Sequence, residues 1–355
     1  MFFTFFKKFR IIFFTIYFGS LFAKGICKQG KLGSFQNQVK CYTVLVNKKP
    51  GTIIATSLLI PEFFQTGSEE GKIGDTRKGE DGMKILDSKF MKGFIKMADD
   101  GYQQGWHERN GGNLSYRVKP EEVEAVRENF QEKEWQPIGT TVPNLAGEYF
   151  LVTGSGKYFR NVILKPEDSI CMIELDEKGE NYRIVWGLVN GGRPTSELPS
   201  HLMNLEVKKL QNPKYRVVYH AHTTNIIALT FVLPLEDRIF TRELWEMATE
   251  CPVVFPAGVG VVPWMVPGGR EIAVATSELM KKYDLAIWAH HGMFAAGEDF
   301  DLTFGLMHTA EKSAEILVKT LSMRPDKLQT IQPDDFRHLA EDFHVTLPEE
   351  FLYEK

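Results

Sequence analysis

The feature that most constrains this chain is a break in its charge. Residues 1–61 carry nine Lys or Arg and no Asp or Glu, whereas residues 83–355 hold 30 basic and 40 acidic side chains. A single fold with one continuous surface rarely changes sign so sharply, so the two stretches are read separately. The whole chain of 355 residues has a net charge of only -4, with 43% apolar and 25% charged residues. That balance excludes a disordered polyelectrolyte, a polytopic membrane protein and a basic nucleic-acid binder. Cys27, Cys41, Cys171 and Cys251 have no CxxC spacing. They predict neither a disulfide scaffold nor a cysteine-built zinc site, and fit a reducing compartment.

The first segment admits three readings. Residues 1–23 place Lys7, Lys8 and Arg10 before thirteen uncharged, mostly apolar residues, the shape of a secretory signal peptide, but without a clean Ala-x-Ala site. A membrane span needs roughly 20 apolar residues, more than are present. In the third reading the segment is an A/T-rich leader translated in frame, because nine of the first 22 residues are Phe. Arg77–Gly82 directly precedes Met83, and codons for Lys78-Gly79-Glu80 can spell the purine run of a bacterial ribosome-binding site. From Lys24 to Gly82 no period of 3.6 or 2 residues is sustained. The expectation is an N-terminal extension over 1–82, disordered or arising from a misassigned start, followed by one domain over 83–355.

From Ser88 onward the pattern becomes globular. Phe90, Phe94, Ile95, Ala98 and Tyr102 recur at helical spacing, with Ser88 as N-cap and Gly105 as stop. Strand-like runs follow at 113–118, 148–154, 169–175 and 181–187, the last two joined by a loop of hairpin length that contains Gly179. Then come a helix over 196–210, a strand over 215–222, and helices near 223–232, 241–250 and 271–282. A strand over 285–292 and a long helix over 301–323 complete the pattern, the helix with Leu302, Leu306, Thr309, Ile316 and Leu317 along one side. Hairpins mixed with helices, and no Gly/Pro-rich break, predict one α/β domain around a largely antiparallel sheet.

Several residues in this body have the types and spacing that chemistry needs. His220 and His222 are two apart at a strand end, so their imidazoles point to the same face. His290 and His291 are neighbours, and alternation along a strand lets at most one of them join that pair. Three imidazoles with an open position make the usual catalytic zinc site, although strand-end histidines are often simply satisfied polar groups. Glu197 opens a helix, either as an acid balancing the dipole or as a general acid/base, which would need burial to offset the dipole. The loops Asn110–Asn113 and Thr153–Lys157 and the helix start at Thr195-Ser196 are small-residue turns whose backbone N–H groups can cradle a phosphate. Glu250 ends the helix expected over 241–250, where an acid opposes the dipole. His107, His201, His308, His338 and His344 have no ligand spacing, and His308 reads as structural.

The segments GWHERNGGNLS, LVTGSGKYFRNV, PTSELPSHL, HAHTTNIIALT, FTRELWEMATECPVVFPAGVG, VPWMVPGG and WAHHGMFAAG, in this order, resemble the class II sugar-phosphate aldolases. The resemblance runs from about Met83 to near the C-terminus and leaves the first 82 residues without a counterpart. It implies a three-layer α/β/α fold with a central, largely antiparallel sheet, assembled as a fourfold homotetramer. It further implies Zn2+ held by His220, His222 and His291, a catalytic carboxylate at Glu197, and a second acid, Glu250, reaching a neighbouring subunit's site. The phosphate site would comprise Asn110, Asn113, Ser155, Gly156, Thr195 and Ser196. The implied reaction is reversible cleavage of L-rhamnulose 1-phosphate to dihydroxyacetone phosphate and L-lactaldehyde in the cytoplasm. A fuculose-phosphate aldolase, a ribulose-phosphate 4-epimerase and a non-catalytic adducin-like module are the alternatives on the same fold, and an exported protein the alternative for location.

Overall fold

The computed structural model describes residues 83–354 in full and, before them, the backbone of four strands. The chain divides into two compact units, Met1–Arg77 and Lys78–Lys355. In the first, β1 (Ile11–Phe18), β2 (Leu21–Gln29), β3 (Val39–Val46) and β4 (Ile53–Thr56) form an antiparallel meander in chain order. Strands thus occur after Lys24, where no period was expected. Val, Ile, Thr and Tyr supply strand preference there without alternation.

The second unit opens with α1 (Lys89–Gln103), whose Ser88 N-cap accepts from the Met91 amide at 3.3 Å, and β5 (Asn113–Arg117). There follow α2 (Pro120–Val126), β6 (Gln136–Pro137), β7 (Tyr149–Thr153), α3 (Pro166–Ser169) and the hairpin β8 (Ile170–Leu175) and β9 (Asn181–Gly187). Next are α4 (Leu198–Gln211), β10 (Val217–Ala221), α5 (Thr224–Leu229), α6 (Asp237–Trp245), α7 (Cys251–Val254), β11 (Gly260–Val262) and α8 (Arg270–Met280). The chain closes with β12 (Leu285–Trp288), β13 (Gly292–Gly297), α9 (Phe300–Met323) and α10 (Pro333–Phe343).

Nine strands make one sheet in the order β11-β12-β13-β10-β5-β7-β8-β9-β6. Each neighbouring pair is antiparallel except β11 with β12. The side-chain period of two sorts every central strand between two cores. Val217, Tyr219 and Ala221 of β10 join Met293 and Ala295 of β13 in a core shared with α1, α5, α6 and α9. Val218, Phe294 and Ala296 face the other way, into a core closed by Leu198, Leu202 and Leu205 of α4 and Ile272 and Met280 of α8. The result is helices on both faces of a sheet, the three-layer α/β/α arrangement, and each large side chain moved from water into these cores stabilises it by roughly 1.5–3 kcal/mol.

Several features differ from those read off the sequence. The helix expected over 241–250 is α6, which starts earlier and ends at Trp245, with Cys251–Val254 a separate short turn. The strand expected over 285–292 stops at Trp288; His290 takes a left-handed φ of 61° and the chain returns as β13. That strand, GMFAAG, was not anticipated because its small residues carry little strand preference. Gly292 is required there, since a Cβ would lie 2.3 Å from the Ala221 carbonyl oxygen. On α9 the buried stripe runs through Thr303, Leu306, Met307, Ala310, Ala314 and Leu317, leaving Leu302 exposed.

Candidate active site

β10 is paired on both sides, with His220 opposite Asn113 of β5 and Phe294 of β13. Alternation turns His220 to the α4 side of the sheet. Its ring is fully buried, stacked on Phe294 at 4.4 Å and 13°, and close to Trp288 at 5.2 Å. His222 follows just past the strand end, and the turn between β12 and β13 delivers His291. The three ring centroids lie 4.9–5.3 Å apart, and one nitrogen from each comes within 4.8 Å of the others.

The second ring nitrogens explain how such a cluster is oriented. His220 Nδ1 donates to the Met293 carbonyl at 3.1 Å, leaving the Nε2 lone pair aimed inward. That Nε2 is buried with no hydrogen-bond partner, a costly arrangement unless something accepts its electrons. His222 Nδ1 donates to Glu108 Oε1 at 2.7 Å. Burial, then the neighbouring imidazoles, hold His220 well below the usual histidine range, and burial pushes His291 down to about 4. A neutral His220 with its hydrogen on Nδ1 and its Nε2 orphaned, beside His222 and His291, fits a divalent metal bound by three histidines.

His290 is excluded from the cluster by the turn itself, and not by alternation along a continuous strand. Its ring packs against Phe231 at 4.2 Å and its Nδ1 pairs with Thr230 Oγ1 at 3.0 Å. Behind the cluster, Glu311 of α9 accepts from the Asn225 and Ile226 amides at 2.9 and 3.0 Å. It caps α5 and thereby anchors the chain just after His222.

Glu197 is the N-cap residue of α4, with no side-chain capping bond. Its carboxylate turns inward instead, only 7% exposed, and Oε2 accepts from Asn113 Nδ2 at 2.8 Å. The same oxygen is 3.8 Å from His220 Nε2, a proximity rather than an ion pair because that imidazole is neutral. Burial raises the Glu197 pKa, against opposing effects from the Asn113 hydrogen bond and from His222. The compensating burial that an acid/base at a helix start requires is therefore present.

Of the small-residue loops, the one that ends in Asn113 reaches the same carboxylate, and the other two lie side by side. Gly111 lies against His222, where a Cβ would meet its Cε1 at 2.8 Å. Gly112, at φ 73°, lies against His107, where a Cβ would meet Nδ1 at 2.5 Å. His107 in turn donates from Nδ1 to the Gly111 carbonyl at 3.0 Å and accepts the Tyr219 hydroxyl at 2.6 Å. Asn113 enters β5 from this turn, whereas Asn110 stays exposed on it. An isolated bridge joins Gly154 to Pro194, flanked by Ser155 N to Arg193 O at 2.8 Å and Thr195 N to Thr153 O at 2.9 Å. It sets Ser155 and Gly156 beside Thr195 and Ser196, and Thr195 Oγ1 accepts from the Glu197 amide at 3.3 Å.

Glu250 stands apart. It is the exposed N-cap residue of α7, so its carboxylate agrees with the helix dipole instead of opposing it, which removes the anomaly expected from the sequence. Among the described residues it makes no hydrogen bond or ion pair with the cluster or with Glu197. Conversely, Glu108, His107 and His201 support the site although their spacing did not mark them. For His201 a signal existed: it lies one helical turn after Glu197, on the same side of α4.

The sequence matches the Class II Aldolase and Adducin N-terminal domain over residues 93–318, and the chain belongs to that family. It is 53% identical to the rhamnulose-1-phosphate aldolase of Mannheimia succiniciproducens over 264 residues, which are 74% of this chain and 97% of that protein. The enzyme of the same name from Pectobacterium atrosepticum is 49% identical over 264 residues, 74% of this chain and 96% of the relative. Among solved structures, a sugar-phosphate aldolase from Thermotoga maritima superposes with a TM-score of 0.59 at 28% identity, covering 67% of this chain and 97% of that one.

The two loop glycines make a controlled comparison. Gly112 and Gly156 have nearly equal φ, 73° and 71°, but a Cβ on Gly156 meets nothing. Gly156→Ala should therefore cost only the left-handed penalty of about 1–2 kcal/mol. Gly112→Ala should add roughly 1–3 kcal/mol for overpacking against His107. Equal losses in urea unfolding would contradict the close packing described here.

Proposed function

We propose that this chain is a zinc-dependent aldolase that reversibly cleaves L-rhamnulose 1-phosphate to dihydroxyacetone phosphate and L-lactaldehyde. The observation that carries this reading is the buried Glu197 carboxylate beside the orphaned Nε2 of His220 in a three-histidine cluster. The relatives that bear the rhamnulose-phosphate name, matched over nearly their whole length, support the choice of substrate.

His220, His222 and His291 would hold the Zn2+. Bound there, zinc supplies Lewis-acid polarisation of the substrate's ketone and stabilises the negative charge left when the carbon–carbon bond breaks. Glu197 takes and returns the proton at the third carbon of the dihydroxyacetone phosphate half, a task its raised pKa suits. Asn113, Ser155, Gly156, Thr195 and Ser196 receive the phosphate with amide, hydroxyl and backbone N–H donors, and Asn110 closes over it from the exposed turn. Glu250, exposed and away from its own subunit's cluster, serves a neighbouring subunit of a homotetramer by moving the proton at the aldehyde oxygen. The adducin-like alternative has no use for such a cluster, and the epimerase and fuculose-phosphate readings are distinguished by substrate.

The domain proper begins near Met83 and acts in the cytoplasm, with residues 1–82 dispensable. The family match starts at residue 93, and Cys171 and Cys251 are buried free thiols. Among the described residues no helix is long and apolar enough to cross a membrane.

Three measurements test this. Metal content with retro-aldol turnover on L-rhamnulose 1-phosphate, beside L-fuculose 1-phosphate and L-ribulose 5-phosphate, should favour the first substrate. In that assay His220→Ala should lose both zinc and activity while His290→Ala keeps its metal; the reverse pattern would discard the ligand assignment. Glu197→Gln should retain zinc and fold but turn over roughly 10²–10⁴-fold more slowly, the usual loss for a general acid/base. Residues 83–355 expressed alone should be soluble, tetrameric and as active as the full chain. Loss of assembly on removing residues 1–82 would give that segment a structural role.

A further inference from the structure

His201 has no place in the chemistry above, yet it is completely buried one turn along α4 from Glu197. Both of its ring nitrogens are engaged. Nδ1 lies 2.6 Å from Ser115 Oγ, and Nε2 makes a short contact with Asn113 Oδ1. Phe294 packs edge-on against the ring at 5.5 Å, so the imidazole has no freedom to turn away.

The donor and acceptor types along this row fix its direction. A side-chain amide has two orientations that differ only in which end donates. Asn113 presents Nδ2 to Glu197 Oε2 at 2.8 Å. Asn113 Oδ1 then faces His201 and can only accept, so Nε2 must carry the hydrogen. With no acid beside it, and with burial pushing its pKa down to about 3, His201 is neutral and Nδ1 has a lone pair. Ser115 completes the row by donating its hydroxyl to that nitrogen at 2.6 Å in preference to the Val218 carbonyl at 3.4 Å.

We propose that His201 is a positioning residue: it locks the Asn113 amide so that both of its N–H bonds face the site, one on Glu197 and the other free for the substrate phosphate. A flipped amide would set its oxygen against the carboxylate and against the phosphate together, weakening base placement and substrate binding at once. This deepens the aldolase reading and, in its kinetic part, rests on it.

The test has a spectroscopic part and a kinetic part. Long-range 1H–15N spectra of the full-length, 15N-histidine-labelled, zinc-loaded protein, assigned with His201→Gln, should show His201 neutral with its hydrogen on Nε2. A hydrogen on Nδ1 overturns the proposal whatever the protein acts on. In the kinetic part, His201→Phe keeps the ring and removes the donor, and should lower kcat/KM about 10- to 100-fold with zinc content unchanged, the effect of a lost hydrogen bond to a charged-group network. His201→Gln, which keeps a donor, should recover to within about threefold of the parent. In an Asn113→Ala background His201→Phe should cost less than about twofold more, because the two residues act as one unit. Additive losses, or a His201→Gln as damaged as His201→Phe, would reduce His201 to a packing residue. Should His201→Phe fail to fold, the tautomer and His201→Gln still decide the matter. A parent inactive on L-rhamnulose 1-phosphate but with the Nε2–H tautomer would sink the functional reading and leave the amide orientation standing.

Discussion

The register of β10 between β5 and β13 is the constraint on which the site depends. It puts His220 opposite Asn113 on one side and Phe294 on the other. One residue of slip on β10 would send His220 and Val218 to the α9 face and turn Tyr219 toward α4. The ring stacking on Phe294, the proximity to Glu197 and the inward Nε2 would all be lost together. The register is held by two cores that pull on alternate residues of the same strand, so neither can be satisfied by a slipped pairing.

Polar groups around that strand are buried in an order that their chemistry dictates. His220 has one nitrogen satisfied by the Met293 carbonyl and the other left unpaired, while Glu197 has one oxygen held by Asn113. An unpaired buried group costs stability, so the Nε2 of His220 beside a buried carboxylate marks a place where the fold accepts that cost for binding. The supporting residues are themselves closed: His107 between Gly111 and Tyr219, and His201 between Ser115 and Asn113. Rigid neighbours of this kind keep the three imidazoles and the Glu197 carboxylate in place.

Glycine does a different job at three contacts. Gly111 lets the chain touch His222, Gly112 takes a left-handed turn over His107, and Gly292 passes the Ala221 carbonyl. Each contact brings backbone to an imidazole or to the strand that carries it, and a side chain at any of them would widen the site. None of these roles shows in a hydrophobic pattern, because glycine contributes no apolar surface to read.

Local pattern in the sequence determined most of the elements, since periods of 3.6 and 2 are properties of neighbouring residues. Helix α1 with its Ser88 cap, the β8–β9 hairpin and the pairing of His220 with His222 were legible for that reason. So was Glu197 as a helix-start acid, together with the burial it would need to act as a base. What only the tertiary structure decided lies between residues far apart in the chain. The left-handed turn at His290 chose His291, and the end of α6 at Trp245 moved Glu250 to the start of the next helix. The bonds of Asn113 to Glu197 and to His201 span 84 and 88 residues. No spacing rule reaches that far, because such contacts exist only once two opposed cores have fixed which strands are neighbours and which faces they share.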